Sequence, residues 1–476
     1  MSNAYDLLVI GSGPGGYAAA LTGARQGLRT GLIDRGAWGG VCLNVGCIPT
    51  KALIAVGHAM RTIQRAGDYG IRVEGARIDY AAVRARNERI ITMLRTGLVG
   101  LLRQADVELI AGEAALDGPT AVHLQGDGAA RTLTAQRLVI ATGAAPHPGP
   151  WAFDGTRIVS YRDLLALPEL PRSLLIIGGG VIGCEFASCF ANFGVPVTLV
   201  EQQPQLLPNE DPEAVRFLTQ RLQAVGVTVM TGVAVQRLGT SAAGVDAVVA
   251  SGGAVSAERC LVAVGIRPNS RGLGLEALGI KTDGGIEVNE HLLTAQPHIA
   301  AIGDCLPGHG LAHWASAEGV AAARNLTQRE RTTVDPRVVP RCVYTDPEFA
   351  HVGLTESQAA ADCRVSRFSF AALGKSVCDE TAEGFVKLLV EGSTDRVVGA
   401  TIVGAQASTL IHLAVLAIQQ RLTAAQLART ITAHPTLSEA VTEAAAQVYG
   451  EALSTNAAAR APRGVRASSI SFSKES

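Results

Sequence analysis

The chain has 476 residues, of which 47% are hydrophobic and 17% charged, and its formal net charge is −1. This length exceeds what one hydrophobic core accommodates, so we expect about two to four domains. The near-neutral charge gives no electrostatic reason to predict binding to nucleic acid or to an anionic membrane. No apolar run reaches the ~18 residues that a membrane helix needs. The N-terminus is typical of a strand entering a turn rather than of a signal peptide.

Two segments of the chain, residues 6–34 and 174–201, share one pattern: an apolar strand, a glycine-rich turn, an alanine-rich helix and a second strand ending in an acid. The first glycine of such a unit permits a tight turn, the second lets the backbone approach a pyrophosphate, and the third lets helix and strand pack closely. The acid accepts hydrogen bonds from ribose hydroxyls, and the helix N-terminus attracts phosphate. The duplication therefore predicts two dinucleotide sites rather than turns that merely pack. The residues are Gly11, Gly13, Gly16 and Asp34 in the first segment, and Gly178, Gly180, Gly183 and Glu201 in the second.

A pair of thiols, Cys42 and Cys47, follows the first unit. The pair is a poor structural zinc signature, since such sites need four ligands and no second pair at zinc-site spacing is present. A disulfide closing so small a loop would add little stability, so a chemical role is favoured. Cys184 and Cys189 have the same spacing, but they fall on the helix predicted after the second glycine motif. We expect those two to pack as small apolar side chains.

The middle of the chain carries weaker patterns. Residues 52–105 are predicted to be mostly helical with an extended interruption near 69–78, and residues 108–141 to form short strands before a turn at 141–143. Short strands are predicted up to residue 269, and another at 299–304 ends in Asp304. From about Val343 strands are followed by helices, and the tail from about Ser454 is predicted to be mobile.

Near the C-terminus, the segment HPTLSE (434–439) carries His434 and Glu439. Histidine titrates near neutral pH, and a nearby carboxylate can fix its tautomer and stabilise its protonated form. This combination suits thiol–disulfide exchange, in which a thiol must give up a proton. A second interpretation stays open for the segment taken alone, because a histidine before a proline is also compatible with a surface position beside a helix start.

The segment GGVCLNVGCIPTK (39–51), taken with the two glycine motifs and HPTLSE, resembles the class I pyridine nucleotide-disulfide oxidoreductases, and the resemblance extends to about residue 453. It is greatest to members that act on dihydrolipoyl groups. The resemblance implies an α/β fold with two Rossmann-like domains, for FAD and NAD, and a C-terminal α+β dimerisation domain. The implied parts are the FAD-binding domain (1–147), the NAD-binding domain (148–270), a central domain completing the FAD site (271–340), the dimerisation domain (341–453) and a flexible tail (454–476).

The resemblance also implies catalytic roles. Cys42 and Cys47 would form a redox-active disulfide, in which Cys42 exchanges with the substrate and Cys47 lies against the flavin as a charge-transfer thiolate. Lys51, paired with Glu185, would lie near the flavin. The base would be His434, assisted by Glu439 and contributed by the other subunit of a homodimer.

The remaining implied contacts are with the two cofactors, and no metal site is predicted. Ala114 stands where the family usually has glycine, but it should still permit a backbone contact with FAD. The implied FAD contacts are Gly11, Gly13, Gly16, Asp34, Arg35, Gly40, Lys51, Ala114, Thr142, Gly143, Asp304, Leu311, Ala312 and His313, and the implied NAD contacts are Gly178, Gly180, Val181, Ile182, Gly183, Glu201, Val233 and Gly265.

Glu201 predicts NAD rather than NADP, because its carboxylate would accept from a ribose 2′-hydroxyl and repel a 2′-phosphate. Residues 202–207 contain no arginine that could bind that phosphate. The resemblance implies oxidation of dihydrolipoyl groups carried by the acyltransferase core of a 2-oxo acid dehydrogenase-type complex, in the cytoplasm. Two alternatives stay open: an NADH-dependent reductase of another small disulfide or diaphorase-like flavoenzyme, and a structural subunit with a vestigial site.

Overall fold

A computed structural model describes residues 3–126, 130–250, 252–308, 310–328 and 331–454. Its contacts divide the chain into two units. The first comprises Met1–Gln64, Val73–Gln202 and Met230–Asp335, and the second comprises Arg65–Arg72, Gln203–Val229 and Pro336–Ser476. The domain boundaries expected at residues 147, 270 and 340 stay predictions. The tail expected to be mobile lies outside the described residues from position 455 onwards.

The described residues form both β-strands and α-helices. The strands are β1 (Ala4–Ile10), β2 (Thr30–Asp34), β3 (Glu108–Ala111), β4 (Glu113–Leu116), β5 (Ala121–Gln125), β6 (Arg131–Ile140), β7 (Ala144–Pro146), β8 (Ile158–Val159), β9 (Leu174–Ile177), β10 (Val197–Glu201), β11 (Val227–Thr231), β12 (Val235–Thr240), β13 (Val245–Val249), β14 (Ala254–Ala257), β15 (Arg259–Val262), β16 (Ile266–Pro268), β17 (Ile299–Ala301), β18 (Arg341–Val343), β19 (Glu348–Gly353), β20 (Arg364–Ser369), β21 (Gly384–Val390) and β22 (Val397–Gly404). The α-helices are α1 (Pro14–Arg25), α2 (Gly40–Val45), α3 (Cys47–Gln64), α4 (Tyr80–Gln104), α5 (Tyr161–Ala166), α6 (Val181–Asn192), α7 (Pro212–Ala224), α8 (Ala312–Asn325), α9 (Gly374–Cys378), α10 (Ala407–Gln419), α11 (Ala424–Ala428) and α12 (Glu439–Gln447).

The first sheet of the first unit is built on parallel strands in the order β3-β2-β1-β6, and β17 also pairs parallel to β6. Leu7, Leu8 and Val9 in β1 are fully buried, as expected for a parallel strand covered on both faces. Helix α1 packs against α8 so closely that a Cβ on Gly319 would lie 2.2 Å from the Gly15 carbonyl oxygen. The carboxyl ends of β1, β2 and β17 meet at one edge of this sheet, which is where α/β folds place their ligands.

The second sheet of the first unit repeats this arrangement, with parallel strands in the order β10-β9-β15-β8. β9 is buried along its whole length, and α6 follows β9 as α1 follows β1. The same unit contains an antiparallel sheet of β12, β13 and β14 and an antiparallel pair of β7 with β16. In each of the two parallel sheets, a glycine-rich turn connects one strand, β1 or β9, to the helix that follows it. This arrangement confirms the predicted α/β class with two Rossmann-like domains.

The second unit is built on an antiparallel sheet in the order β18-β19-β22-β21-β20. The sheet packs against α10 and α12, and Phe368, Ile402, Ile411 and Val441 are fully buried in the shared core. This arrangement of strands and helices confirms the predicted α+β C-terminal domain.

One segment, Gly40–Gln64, is long and apolar enough to cross a membrane by length and composition alone, with a mean hydropathy of 1.5. Core helices of globular proteins pass the same test. Here α3 packs against α4 and α6 within the first unit, and Lys51 in this segment pairs with Glu185 of α6. The expectation that the chain does not associate with membranes stays a prediction.

His351 on β19 is fully buried, and its environment predicts a pH effect on stability. Its Nδ1 lies 2.8 Å from the Thr401 hydroxyl oxygen, and its Nε2 lies 3.1 Å from the Gly353 carbonyl oxygen. Burial lowers the pKa of His351 below its ordinary 6.5, although the charge of Glu210 opposes this shift. The unfolded chain therefore binds a proton that the folded chain does not, so this histidine destabilises the folded state as the pH falls below about 6.5.

We expect the His351→Gln variant to lose less free energy of unfolding than the wild type between about pH 7 and pH 5. Denaturant titrations at several pH values measure this difference. An equal loss of free energy in both proteins would contradict the prediction.

Candidate active site

The glycine turn after β1 combines packing constraints with one open position. Gly11 has φ +102°, and a Cβ there would lie 2.2 Å from the Ala141 carbonyl oxygen. A Cβ on Gly16 would lie 1.8 Å from the Gly11 carbonyl oxygen. In contrast, no atom from elsewhere in the described chain lies within 4 Å of a Cβ built on Gly13. Gly11 and Gly16 are therefore required by the turn itself, and the space beside Gly13 is open to a ligand.

The carboxylate of Asp34 is fixed beside this turn at the end of β2. Its Oδ2 accepts hydrogen bonds from the Ser12 backbone N–H (2.7 Å) and hydroxyl (2.5 Å). Its Oδ1 accepts from the Gly36 N–H at 2.7 Å. Ser12 was not among the predicted residues, although its place between the first two glycines of the motif is visible in the sequence.

Two adjoining cavities open at this edge of the sheet, with volumes of about 640 Å³ and about 410 Å³. They share Gly11, Asp34, Arg35 and Thr142 in their walls, together with Asn269. The larger cavity also contains the predicted FAD contact Ala114, and the smaller one contains Gly13, Gly40, Cys42, Cys47, Gly143, Asp304 and Ala312. Cavities of this size, continuous with an open glycine turn, fit a dinucleotide cofactor such as FAD.

Four predicted FAD residues do not line either cavity, although each is near a lining residue in the sequence. Gly16 packs inside the turn, and Lys51 pairs with a carboxylate on α6. Leu311 immediately precedes α8, and His313 is the second residue of that helix. Their predicted contacts with FAD stay predictions.

Asn269 was missed by the sequence analysis, although it lines both cavities. Its side-chain Nδ2 donates to the Thr142 carbonyl oxygen at 2.9 Å, and the Thr142 hydroxyl donates to the Asn269 carbonyl oxygen at 2.7 Å. These bonds continue the antiparallel pairing of β7 with β16. The long-range pairing of β7 with β16 places the segment after β16 at the cavity wall. No local sequence pattern predicts this pairing.

The two predicted redox cysteines lie on successive helices at the wall of the smaller cavity. Cys42 is in α2, and Cys47 is the first residue of α3. Both side chains are half-buried. The hydrogen bond between their sulfurs raises the pKa of Cys42, which burial raises further, and the same bond lowers the pKa of Cys47. The positive charge of Lys51 also lowers the pKa of Cys47, so negative charge concentrates on Cys47.

Lys51 and Glu185 form the predicted pair. The Lys51 Nζ lies 2.9 Å from Oε1 and 2.8 Å from Oε2 of Glu185. The Glu185 side chain is only 5% exposed, so its charge needs a partner. The pair links α3, which begins at Cys47, to α6, which follows the second glycine turn.

The second glycine turn repeats the geometry of the first. A Cβ on Gly178 would lie 2.4 Å from the Ala263 carbonyl oxygen, and one on Gly183 would lie 1.9 Å from the Gly178 carbonyl oxygen. No atom from elsewhere in the described residues lies within 4 Å of a Cβ built on Gly180. The open middle glycine at the start of α6 fits a second dinucleotide.

The other predicted NAD residues cluster around this turn. The Glu201 carboxylate accepts from the Gly179 N–H at 2.6 Å, and the Val233 N–H donates to the Glu201 carbonyl oxygen at 3.0 Å. Val181, which begins α6, is 42% exposed, and Ile182 follows it. Gly265 adopts φ +127° just before β16, a conformation that favours glycine.

The predicted acid–base pair lies in the second unit. The His434 Nδ1 is 2.8 Å from the Glu439 Oε1, and Oε2 of the same carboxylate accepts from the Thr436 N–H at 2.8 Å. Burial alone would raise the pKa of Glu439, but the hydrogen bonds from Thr436 and His434 lower it below its ordinary value. The His434 side chain is 78% exposed in the single chain. An ionised Glu439 therefore orients an accessible imidazole.

Comparisons with known proteins place these features in a family. The model of the pyridine nucleotide-disulphide oxidoreductase family matches residues 5–319, and the model of that family's dimerisation domain matches residues 339–445. A dihydrolipoyl dehydrogenase of Bacillus subtilis is 37% identical over 94% of this chain and 99% of its own length. A dihydrolipoyl dehydrogenase of Chlorobaculum tepidum is 39% identical over 93% of this chain and 96% of its own length.

Solved structures agree with this assignment. LpdA from Mycobacterium tuberculosis superposes with a TM-score of 0.87 at 31% identity, covering 93% of this chain and 99% of that structure. The Cu(II) complex of RclA from Escherichia coli, an HOCl-induced flavoprotein disulfide reductase, superposes with a TM-score of 0.85 at 27% identity. That match covers 94% of this chain and 99% of RclA.

Proposed function

The chain belongs to the pyridine nucleotide-disulphide oxidoreductase family, and we propose that it oxidises dihydrolipoyl groups to lipoyl groups while reducing NAD to NADH. It is an oxidoreductase of a family that uses FAD and NAD. The observation that carries the proposal is the Cys42–Cys47 pair at the wall of the cofactor cavity, where Cys47 begins the helix that also carries Lys51, the partner of the buried Glu185. We propose that Cys42 exchanges with the substrate and that Cys47 faces the cofactor.

In the proposed reaction, the oxidised enzyme carries a Cys42–Cys47 disulfide. One substrate thiol loses its proton to His434, and the resulting thiolate attacks the Cys42 sulfur. The Cys42–Cys47 bond breaks, and Cys47 leaves as a thiolate that the Lys51 charge stabilises. The second substrate thiol attacks the substrate sulfur of the mixed disulfide, the bond from that sulfur to Cys42 breaks, and the proton of this thiol passes to Cys42. This step releases the cyclic lipoyl disulfide and a reduced Cys42. The substrate has lost two electrons, and the cysteine pair has gained them.

FAD, when bound, supplies the carrier that passes these two electrons from the cysteine pair to NAD. The chain's own residues would position both partners. Asp34 and the open glycine turn at Gly13 would hold FAD, and Gly180 with Glu201 would hold NAD.

The match to the family's dimerisation domain supports a homodimer. Within it we propose that His434 of one subunit serves Cys42 of the other. The exposure of His434 supports this arrangement, since the imidazole is accessible to a second chain. The proposed partner of the homodimer is a lipoyl-bearing acyltransferase core of a 2-oxo acid dehydrogenase-type complex, and the proposed location is the cytoplasm.

The proposed coenzyme contact of Glu201 predicts a measurable preference. We expect a higher kcat/KM with NADH than with NADPH, because the carboxylate accepts from the 2′-hydroxyl and repels a 2′-phosphate. Glu201→Gln should reduce this preference about tenfold, the scale of one hydrogen bond to a charged group. Steady-state kinetics with both coenzymes test it, and a wild-type preference for NADPH would refute the assignment.

A substrate panel tests the proposed activity on the FAD-loaded homodimer. Dihydrolipoamide with NAD should be turned over faster than any other dithiol, and NADH should reduce lipoamide in preference to glutathione disulfide or cystine. The similarity to RclA favours a second candidate, an NADH-dependent reductase of another disulfide. Absence of activity with dihydrolipoamide, together with rapid turnover of another disulfide, would establish that candidate instead.

A further inference from the structure

Arg162 lies at the wall of the smaller cavity, beside the residues proposed to hold FAD. It is the second residue of α5, whose first turn is fixed by reciprocal hydrogen bonds between Ser160 and Asp163. Helix α5 packs against α2, which carries Cys42. The backbone that carries Arg162 therefore lies beside the cavity. Its neighbours in the sequence show no cofactor motif, and Arg162 is not among the predicted site residues.

The guanidinium group has incomplete hydrogen bonding within the described residues. Its Nη2 donates to the Ala144 carbonyl oxygen over a long 3.4 Å, and its carbon lies 5.9 Å from the centre of the Tyr161 ring. The Nε atom is buried and has no hydrogen-bond partner among these residues. Native proteins satisfy nearly all buried N–H groups, so a buried N–H donor at the wall of a ligand cavity is placed to donate to a bound ligand.

We propose that Arg162 is an FAD-binding residue, whose Nε donates a hydrogen bond to an acceptor atom of the cofactor. The same cavity is lined by Gly13 at the open turn, by Cys47 and by Asp304, so FAD extended along it would pass Arg162. The isoalloxazine carbonyls, the ribityl hydroxyls and the phosphate oxygens of FAD are all acceptors. The proposal rests on FAD binding in this cavity and is independent of which disulfide is the substrate.

Two substitutions separate the hydrogen bond from the charge. Arg162→Met removes both, whereas Arg162→Lys keeps the positive charge but has no N–H at the position of Nε. Arg172→Met is the matched control, because the Arg172 side chain is 82% exposed and pairs with Glu258 outside both cavities. Fluorescence titration of the apoproteins with FAD should show dissociation constants about tenfold higher in both Arg162 variants and unchanged in Arg172→Met.

Thermal unfolding of the apo and FAD-loaded forms distinguishes binding from folding. FAD should raise the melting temperature less in the Arg162 variants than in the wild type. A lowered melting temperature of the apoprotein with an unchanged FAD dissociation constant would assign Arg162 a structural role and overturn the proposal. Wild-type affinity in Arg162→Lys would also overturn it, since charge alone would then suffice. If Arg162→Met fails to fold, the Arg162→Lys titration decides.

The flavin midpoint potential identifies the acceptor on FAD. If FAD binding weakens and the potential shifts in both variants, the acceptor is on the isoalloxazine ring. If FAD binding weakens at an unchanged potential, the acceptor is a ribityl or phosphate oxygen. Either result supports the proposal, because each follows from a direct hydrogen bond between Arg162 and FAD.

Discussion

The Cys42→Ser variant is expected to lose the oxidation of dihydrolipoamide by NAD while it retains FAD. A serine hydroxyl cannot form the disulfide with Cys47 or the mixed disulfide with the substrate, so the proposed path for electrons out of the substrate is closed. We expect turnover to fall by ~10³-fold or more, the scale of losing a covalent nucleophile. Steady-state rates, normalised to flavin absorbance per subunit, measure the effect.

Two controls make this result specific. Cys378→Ser changes an exposed cysteine in the second unit and should leave turnover unchanged. NADH should still reduce an artificial electron acceptor through the flavin in Cys42→Ser, since that path does not need the substrate-facing sulfur. Lipoamide turnover at the wild-type rate in Cys42→Ser would refute the mechanism, and loss of FAD would show that the variant is misfolded.

The different expected roles of Cys42 and Cys47 show what the structure adds to the sequence. From the residues alone, the spacing of the pair left a metal site or a local disulfide open, and the separate roles came from the family resemblance. The structure supplies a physical basis within this chain: the hydrogen bond between the sulfurs and the charge of Lys51 lower the pKa of Cys47, although burial opposes them. Lys51 is one turn of α3 away from Cys47, so their proximity follows from the local sequence. Its partner Glu185 lies on α6, so that contact depends on the tertiary fold.

The two nucleotide turns were predictable because their constraints are local. Gly11 and Gly16, like Gly178 and Gly183, stand where a Cβ would collide with a backbone carbonyl oxygen, so the chain has no alternative to glycine there. The strands that precede the turns are buried on both faces and therefore read as continuous apolar runs. Backbone geometry of this kind requires particular residue types at fixed positions, so it can be predicted from the sequence.

Asn269 and Arg162 were not predictable in this way. Asn269 reaches the cavities only because β16 pairs antiparallel with β7, which lies far away in the sequence. Arg162 reaches the smaller cavity because α5 packs against α2. Neither contact imposes a pattern on neighbouring residues, since tertiary packing rather than local backbone geometry sets it. Cavity residues of this kind are found only once the fold is known.

The His434→Gln variant is expected to lower kcat with dihydrolipoamide by roughly 100-fold, the usual scale for a lost acid–base group. Gln can occupy a similar volume but cannot accept the substrate proton. The deficit should shrink as the pH rises toward the pKa of the substrate thiol, because the thiol then ionises without assistance. Since the hydrogen bonds from Thr436 and His434 lower the pKa of Glu439, its carboxylate stays ionised across this range, and Glu439→Gln should produce a smaller loss.

The matched control for His434→Gln is His412→Gln, because His412 is exposed on α10 and its Nδ1 lies near the Thr409 carbonyl oxygen. It should leave kcat unchanged at every pH. A pH–rate profile of wild type and variants therefore separates proton transfer from packing, since a packing defect would lower the rate by the same factor at all pH values. A rate deficit in His434→Gln that is the same at every pH would refute the acid–base role.

If the deficit instead becomes smaller as the pH rises, a subunit-mixing experiment tests the shared site. Inactive Cys42→Ser subunits are mixed with His434→Gln subunits, so that a mixed dimer has one intact Cys42–His434 pair across the interface. This dimer should recover turnover that neither variant has alone.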